Sequence, residues 1–181
     1  MTFGATAVEG VLLIELDPAH DERGFFARTF CETEFAAHGL ATVYPQCNVS
    51  YNRTRLTLRG LHYSAAPVRE PKLVRCTRGS IYDAVLDLRA DSPTCFTWCA
   101  VVLTQDNRRM LYVPAGVAHG FLTLEDHTEV FYQMGASYAP EASRTVRWDD
   151  RRFGVEWPHR PSLISERDRT APDFTGGPLA W

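Results

Sequence analysis

The feature that most narrows the fold of this chain is a succession of short apolar runs, each closed by a turn signal. Branched and aromatic residues dominate residues 11–16, 25–30, 43–51, 56–63, 72–76, 80–88, 97–104, 110–113, 120–124 and 128–134. Between them fall Asp17-Pro18, Asp21-Glu22-Arg23-Gly24, Asn52-Arg53-Thr54-Arg55, Arg78-Gly79, Asp91-Ser92-Pro93, Asp106-Asn107, Pro114 with Gly116, and Glu125-Asp126. Runs of this kind predict strands, and Gly, Pro, Asn and Asp supply the turns. One segment, 32–38, predicts a helix, with Thr33 as its cap and Gly39 as its stop. Many short strands with almost no helix predict an all-β sandwich or barrel. After Tyr138-Ala139-Pro140 the pattern turns to arginine, proline and tryptophan. That change predicts an irregular tail which packs through Phe153, with Trp148 and Trp157 covering the barrel. A length of 181 residues predicts one domain over 1–181, with a core of about 10–174 and a frayed tail at 175–181.

Charge and cysteine content exclude several classes of function. The net charge is −3 with acids and bases interspersed, which argues against nucleic acid or an anionic membrane as partner. The five cysteines are odd in number and include no C-x-x-C pair, so reduced thiols are expected rather than a disulfide framework or structural zinc. The first ten residues lack the basic-then-apolar pattern of a signal peptide. No run approaches the roughly 20 apolar residues of a membrane span. The expectation is a soluble, cytoplasmic protein.

Two stretches carry concentrated chemistry. Leu58-Arg59-Gly60-Leu61-His62-Tyr63 holds a cation, a glycine, an imidazole and a phenol, and Pro114-Ala115-Gly116-Val117-Ala118-His119-Gly120-Phe121 answers it. Strand alternation puts Leu58, Gly60 and His62 on one face, and a bulge at Gly60 would bring Arg59 round to His62. Lys72, Val74 and Cys76 share a face, as do Thr128, Val130 and Tyr132. With these faces inward, His62, Lys72, His119 and Tyr132 surround one cavity, and inward polar residues on several strands point to a ligand. Tyr63 and Phe121 read as packing residues. His20, His38 and His159 read as surface residues, and His127 as part of a hairpin turn.

Two chemistries suit such a set. A metal site is favoured by H-x-H on a strand, but Ser64 occupies the position two after His62, leaving His62, His119 and Glu70 as a minimal set. Acid–base chemistry beside a carbonyl needs a neutral histidine as base, a tyrosine as opposing acid and a cation at the developing enolate. A carboxylate would fix the histidine tautomer, and Asp83 and Asp168 are both candidates.

The runs LRGLHY, PKLVRCTRG, IYDAVLDLRADSPT, LYVPAGVAHGF, EVFYQM, YAP, VRWDD, WP and ISERD resemble the dTDP-4-dehydrorhamnose 3,5-epimerases, in order, over about residues 10–174. The resemblance implies a cupin-like jelly-roll β-barrel with short peripheral helices, usually a homodimer, working without a metal or other cofactor. It implies a nucleotide-linked 4-keto-6-deoxyhexose as substrate, inverted at carbon 3, carbon 5 or both. In its terms His62 is the base, Asp168 its partner, and Tyr132 the acid. Lys72 and His119 hold the sugar and enolate. Arg59 and Arg23 meet the diphosphate, Gln46 and Asn48 lie near the base or sugar, partly in the partner subunit, and Tyr138 stacks on the pyrimidine. Arg28 and Arg167 fall at substrate-binding positions. The chain departs from the family at Arg28, where glutamate is common, at Ser64 for glutamine, at Cys47 in a nucleotide-facing position, and at Ser143 for an acid. These departures spare the proton-transfer residues and bear on nucleotide or sugar recognition. A metal-dependent cupin enzyme and a non-catalytic sugar-binding jelly roll are the alternatives. Exposed sheet edges call for pairing, and the N-terminal strands (11–30) are expected to cross to a partner.

Overall fold

The computed structural model describes residues 1–180. In chain order its elements are β1 (Thr2–Ala5), β2 (Leu12–Glu15), β3 (Ala19–Asp21), β4 (Gly24–Phe26), α1 (Glu32–Ala37), β5 (Gln46–Asn52), β6 (Thr57–Ser64), β7 (Lys72–Arg78), β8 (Ser80–Asp87), β9 (Trp98–Thr104), β10 (Met110–Val113), β11 (Val117–Thr123), β12 (Thr128–Met134), β13 (Ser143–Thr145), β14 (Leu163–Ile164) and α2 (Glu166–Arg169). One sheet runs β1-β2-β10-β7-β12-β5 and the other β13-β6-β11-β8-β9. The two pack face to face as a jelly roll and do not join into a closed cylinder. The hairpin β3–β4 forms a separate two-stranded ribbon.

Alternation along each strand decides what fills the sandwich. Val74 and Cys76 of β7, Ile81 and Val85 of β8, Leu111 and Val113 of β10, Val117 and Phe121 of β11, and Val130 of β12 share one buried cluster between the sheets. Their neighbours on the strands face outward, and both outer faces are covered. Leu73, Met110 and Tyr112 pack with Ile14 beneath Phe35 of α1. Ala84, Leu86 and Ala118 pack against Phe153, Trp157, Phe174 and Leu179 of the tail. Fully burying a large apolar side chain contributes roughly 1.5–3 kcal/mol, so this tail is structural despite its lack of regular elements.

Several boundaries differ from the sequence reading. The run at 25–30 is a strand only to Phe26, because β4 pairs with β3 alone and nothing extends the ladder. Helix α1 is capped at Cys31, without a side-chain cap, rather than at Thr33; Gly39 stops it with φ +68°. β1, β3, β13, β14 and α2 were not legible as elements. The bulge at Gly60 is present. His119 pairs with His62 and Phe121 with Arg59, so β6 carries one more residue than β11 over the same span. Gly60 has φ +120°, and a Cβ there would lie 2.5 Å from Gly120 Cα. Two facing glycines thus let β6 and β11 approach closely where the chain bulges.

Candidate active site

Polar side chains replace the apolar core at one end of the sandwich. There a cavity of about 330 Å³ is lined by residues from both sheets, including Asn48, Arg59, His62, Lys72, His119, Tyr132, Tyr138 and Arg167. The bulge at Gly60 puts Arg59 and His62 on the same wall. β11 sets His119 opposite His62, and β12 sets Tyr132 opposite Asn48 on one side and Val74 on the other.

Asp168 reaches His62 through the tail. β14 runs parallel to β6, with Leu163 beside Thr57 and Ile164 beside Leu58, and delivers α2 to the bulge. Ser165 caps α2, its Oγ accepting from the Asp168 N–H at 3.1 Å. The carboxylate then meets His62 Nε2 at 2.7 Å and accepts from the Gly60 N–H at 3.2 Å. Burial alone would raise the Asp168 pKa; the His62 bond and charge, Gly60 and Ser165 together outweigh it and hold the pKa below its usual value. An ionised carboxylate accepts, so His62 Nε2 carries a proton, and in the neutral ring the lone pair is on Nδ1. A histidine held in this tautomer is a base.

The opposing groups have different environments. Burial, and after it the Asp83 carboxylate, push the Tyr132 phenol above its ordinary value, with Arg59 and Ser50 offsetting part of the shift. Tyr132 therefore stays protonated and is able to donate. His119 Nε2 lies 2.7 Å from Asp83 Oδ1 within the buried interior, and Asp83 Oδ2 has no hydrogen-bond partner among the described residues. Asp83 thus serves His119, while Asp168 serves His62. Lys72 is buried with Glu70, Nζ to Oε2 at 3.2 Å. Arg59 donates through Nε to Asn52 Oδ1 at 2.8 Å, and Arg167 to Ser143 Oγ at 2.8 Å. Neither guanidinium has a carboxylate partner among the described residues, so the cavity offers two cations to an anionic ligand.

Other expected residues fall beside the cavity or away from it. Gln46 does not line it; it braces it, donating to Asn48 Oδ1 at 3.1 Å and accepting from the Tyr138 N–H at 3.0 Å. Arg23 lies on the exposed β3–β4 hairpin, ion-paired with Asp21 at 2.5 Å. Arg28 pairs with Glu34 at 3.4 Å on the surface. Both are outside the cavity of their own chain. Cys47 is exposed and off the lining, whereas the three residues after it on β5, Asn48, Val49 and Ser50, line the cavity. Tyr63 and Phe121 line the cavity as well as packing, and so do Ser64, Glu70, Met134 and Ser143. Ser64 and Glu70 flank Lys72 and follow His62 closely, a proximity the chain order already held.

With the geometry in place, comparison with known proteins is decisive. The dTDP-4-dehydrorhamnose 3,5-epimerase family model matches residues 5–176. The chain belongs to that family. It is therefore an epimerase, an enzyme of the isomerase class. The dTDP-4-dehydrorhamnose 3,5-epimerase of Sinorhizobium fredii is 37% identical over 100% of this chain and 93% of its own length. The crystal structure of the Bacillus anthracis enzyme, with TDP and PPi bound, superposes with a TM-score of 0.91 at 36% identity, covering 96% of this chain and 99% of that one. A 3'-monoepimerase from Streptomyces bikiniensis, in complex with dTDP-quinovose, gives a TM-score of 0.85 at 32% identity over 93% and 85% of the two chains. The epimerase fold is shared throughout, including the cupin-like jelly roll. Among the described residues no helix is long and apolar enough to cross a membrane.

Proposed function

We propose that this epimerase inverts carbon 3, carbon 5 or both in a dTDP-linked 4-keto-6-deoxyhexose, with dTDP-4-keto-6-deoxyglucose as the leading substrate. The observation that carries the reading is His62, on the wall of the cavity and backed by Asp168 behind it, with a protonated Tyr132 in the same cavity. Proton abstraction beside a ketone leaves an enolate, and inversion needs a proton returned to the other face. His62 Nδ1 takes the proton, and the electron pair moves onto the carbonyl oxygen. Lys72 and His119 offset the charge that forms there. Tyr132 delivers a proton to the opposite face, the electrons return to carbon, and the configuration is reversed. Arg59 and Arg167 suit a diphosphate, and Tyr138, exposed at the rim, suits a stacked pyrimidine.

The same reading makes the working unit a homodimer. Arg23 and Arg28 lie away from their own cavity, on a hairpin that joins neither sheet and on the segment after it, and β5 leaves an unpaired edge. A cavity completed by a second chain accommodates both facts.

The test is proton NMR of dTDP-4-keto-6-deoxyglucose with the enzyme in heavy water. Deuterium at carbons 3 and 5 is expected of a 3,5-epimerase, and at one carbon of a monoepimerase. Absence of exchange, repeated with CDP- and GDP-linked keto sugars, would overturn the reading.

A further inference from the structure

Glu70 lines the cavity and takes no part in the proton transfers above. It is the one carboxylate on the cavity wall among the described residues. Its side chain is 10% exposed. Lys72 Nζ lies 3.2 Å from Oε2, and Ser64 Oγ donates to the same oxygen at 3.1 Å. Both contacts end on Oε2, and Oε1 has no hydrogen bond to any described residue. A carboxylate offers about four acceptor positions, so much of this one's capacity is still open.

An open acceptor in a ligand cavity selects its ligand. The diphosphate is repelled by it and belongs beside Arg59 and Arg167, so Glu70 faces the sugar. There it needs a donor, which on a neutral sugar is a hydroxyl. We propose that Glu70 Oε1 accepts a hydrogen bond from the carbon 3 hydroxyl of the hexose and makes that hydroxyl a determinant of specificity. This rests on the proposed reading, in which Lys72 holds the oxygen on carbon 4. Of the two carbons flanking that carbonyl, carbon 5 carries a methyl group and the ring oxygen, neither of them a donor. Carbon 3 carries the only donor next to the carbonyl, within reach of a carboxylate paired to the same lysine.

The test uses a sugar that lacks this hydroxyl and still has an exchangeable carbon 5. Carbon 5 exchange in heavy water is compared for dTDP-4-keto-6-deoxyglucose and its 3-deoxy counterpart, as a ratio of kcat/KM. A hydrogen bond to a charged acceptor predicts a preference of about 10- to 100-fold for the hydroxylated sugar in the wild type. Glu70→Ala should bring the ratio close to one, and Glu70→Gln, which keeps a neutral acceptor oxygen, should leave a smaller preference of about 5-fold. Equal rates for the two sugars in the wild type would overturn the proposal whatever the variants do. So would a Glu70→Ala variant slowed by the same factor on both, since that marks a residue that only props Lys72. Exchange with neither sugar in the wild type would sink the dTDP-4-keto-6-deoxyglucose substrate reading, and this proposal with it.

Discussion

At His62 the chemistry turns on which ring nitrogen carries the proton, and Asp168 decides it. Asp168→Asn keeps the shape but replaces an acceptor with an amide, so the tautomer is no longer fixed. The expected outcome is a fall in kcat of about 10²- to 10⁴-fold with little change in KM, read by steady-state kinetics. Tyr132→Phe acts differently. His62 still removes and returns a proton on its own face, so deuterium exchange should persist while inversion falls by a similar factor; loss of both together would mean that Tyr132 serves mainly to bind. Asp168 also links activity to acid stability. Its pKa is lowered on folding, so its contribution is complete well above the usual carboxylate value of 3.8 and is lost as pH falls through that value toward the folded one. The stability gap between wild type and Asp168→Asn should therefore narrow between pH 6 and pH 3 in urea denaturation. Part of the site was legible residue by residue: period-two alternation grouped His62 with Leu58 and Gly60, Lys72 with Val74 and Cys76, and Tyr132 with Val130, but it did not say which faces lie inward. The pairing of Asp168 with His62 was not legible, since 106 residues separate them and only the family resemblance joined them. Tyr63 and Phe121 were read as packing alone because periodicity does not reveal where the sandwich interior stops being apolar.

At the level of elements, the bulge in β6 is what brings a cation and a base to one wall. Its sequence signal was a glycine inside a strand, and the register confirms the extra residue. Gly60→Ala tests how much depends on it. The added Cβ would meet Gly120 Cα at 2.5 Å and His119 O at 2.9 Å, both backbone, at a positive φ. Strain and overpacking together predict a loss of about 3 kcal/mol, measurable by chemical denaturation. A variant as stable as the wild type would show that the two strands separate easily there. Helix α2 is the opposite case. Four residues give no periodicity, so its sequence reads as loop, and only Ser165 three residues before Asp168 hints at a cap. Its position comes from β14 lying along β6, a parallel pairing no local pattern announces. The strands β5 to β12 were legible, whereas the short peripheral ones, β1, β3, β13 and β14, were not, and the β3–β4 ribbon lacks a third strand to extend it.

At the scale of the molecule, the surface is unfinished where the β3–β4 hairpin projects. Phe25 and Phe26 are exposed, Phe26 at 79%, and Val49 and Tyr51 are exposed on the β5 edge. Large apolar side chains on a ribbon that joins neither sheet need a partner, and a second copy satisfies this with closed two-fold symmetry. Light scattering should give a mass twice that of one chain; a stable monomer at micromolar concentration would refute the dimer. Complementation then asks whose cavity Arg23 serves. His62→Ala removes the base, and Arg23→Ala removes a cation that no residue of its own cavity contacts. If Arg23 crosses to the partner, a mixed dimer of the two variants holds one intact cavity, in the subunit that keeps His62 and receives Arg23 from the other. Refolding the two inactive chains together should then restore roughly one quarter of wild-type activity, since half the dimers are mixed and each has one working site. If Arg23 serves its own chain, every cavity lacks one group or the other and nothing is restored. The two outcomes differ by the full signal, so one assay decides between a site built within a chain and a site built between two.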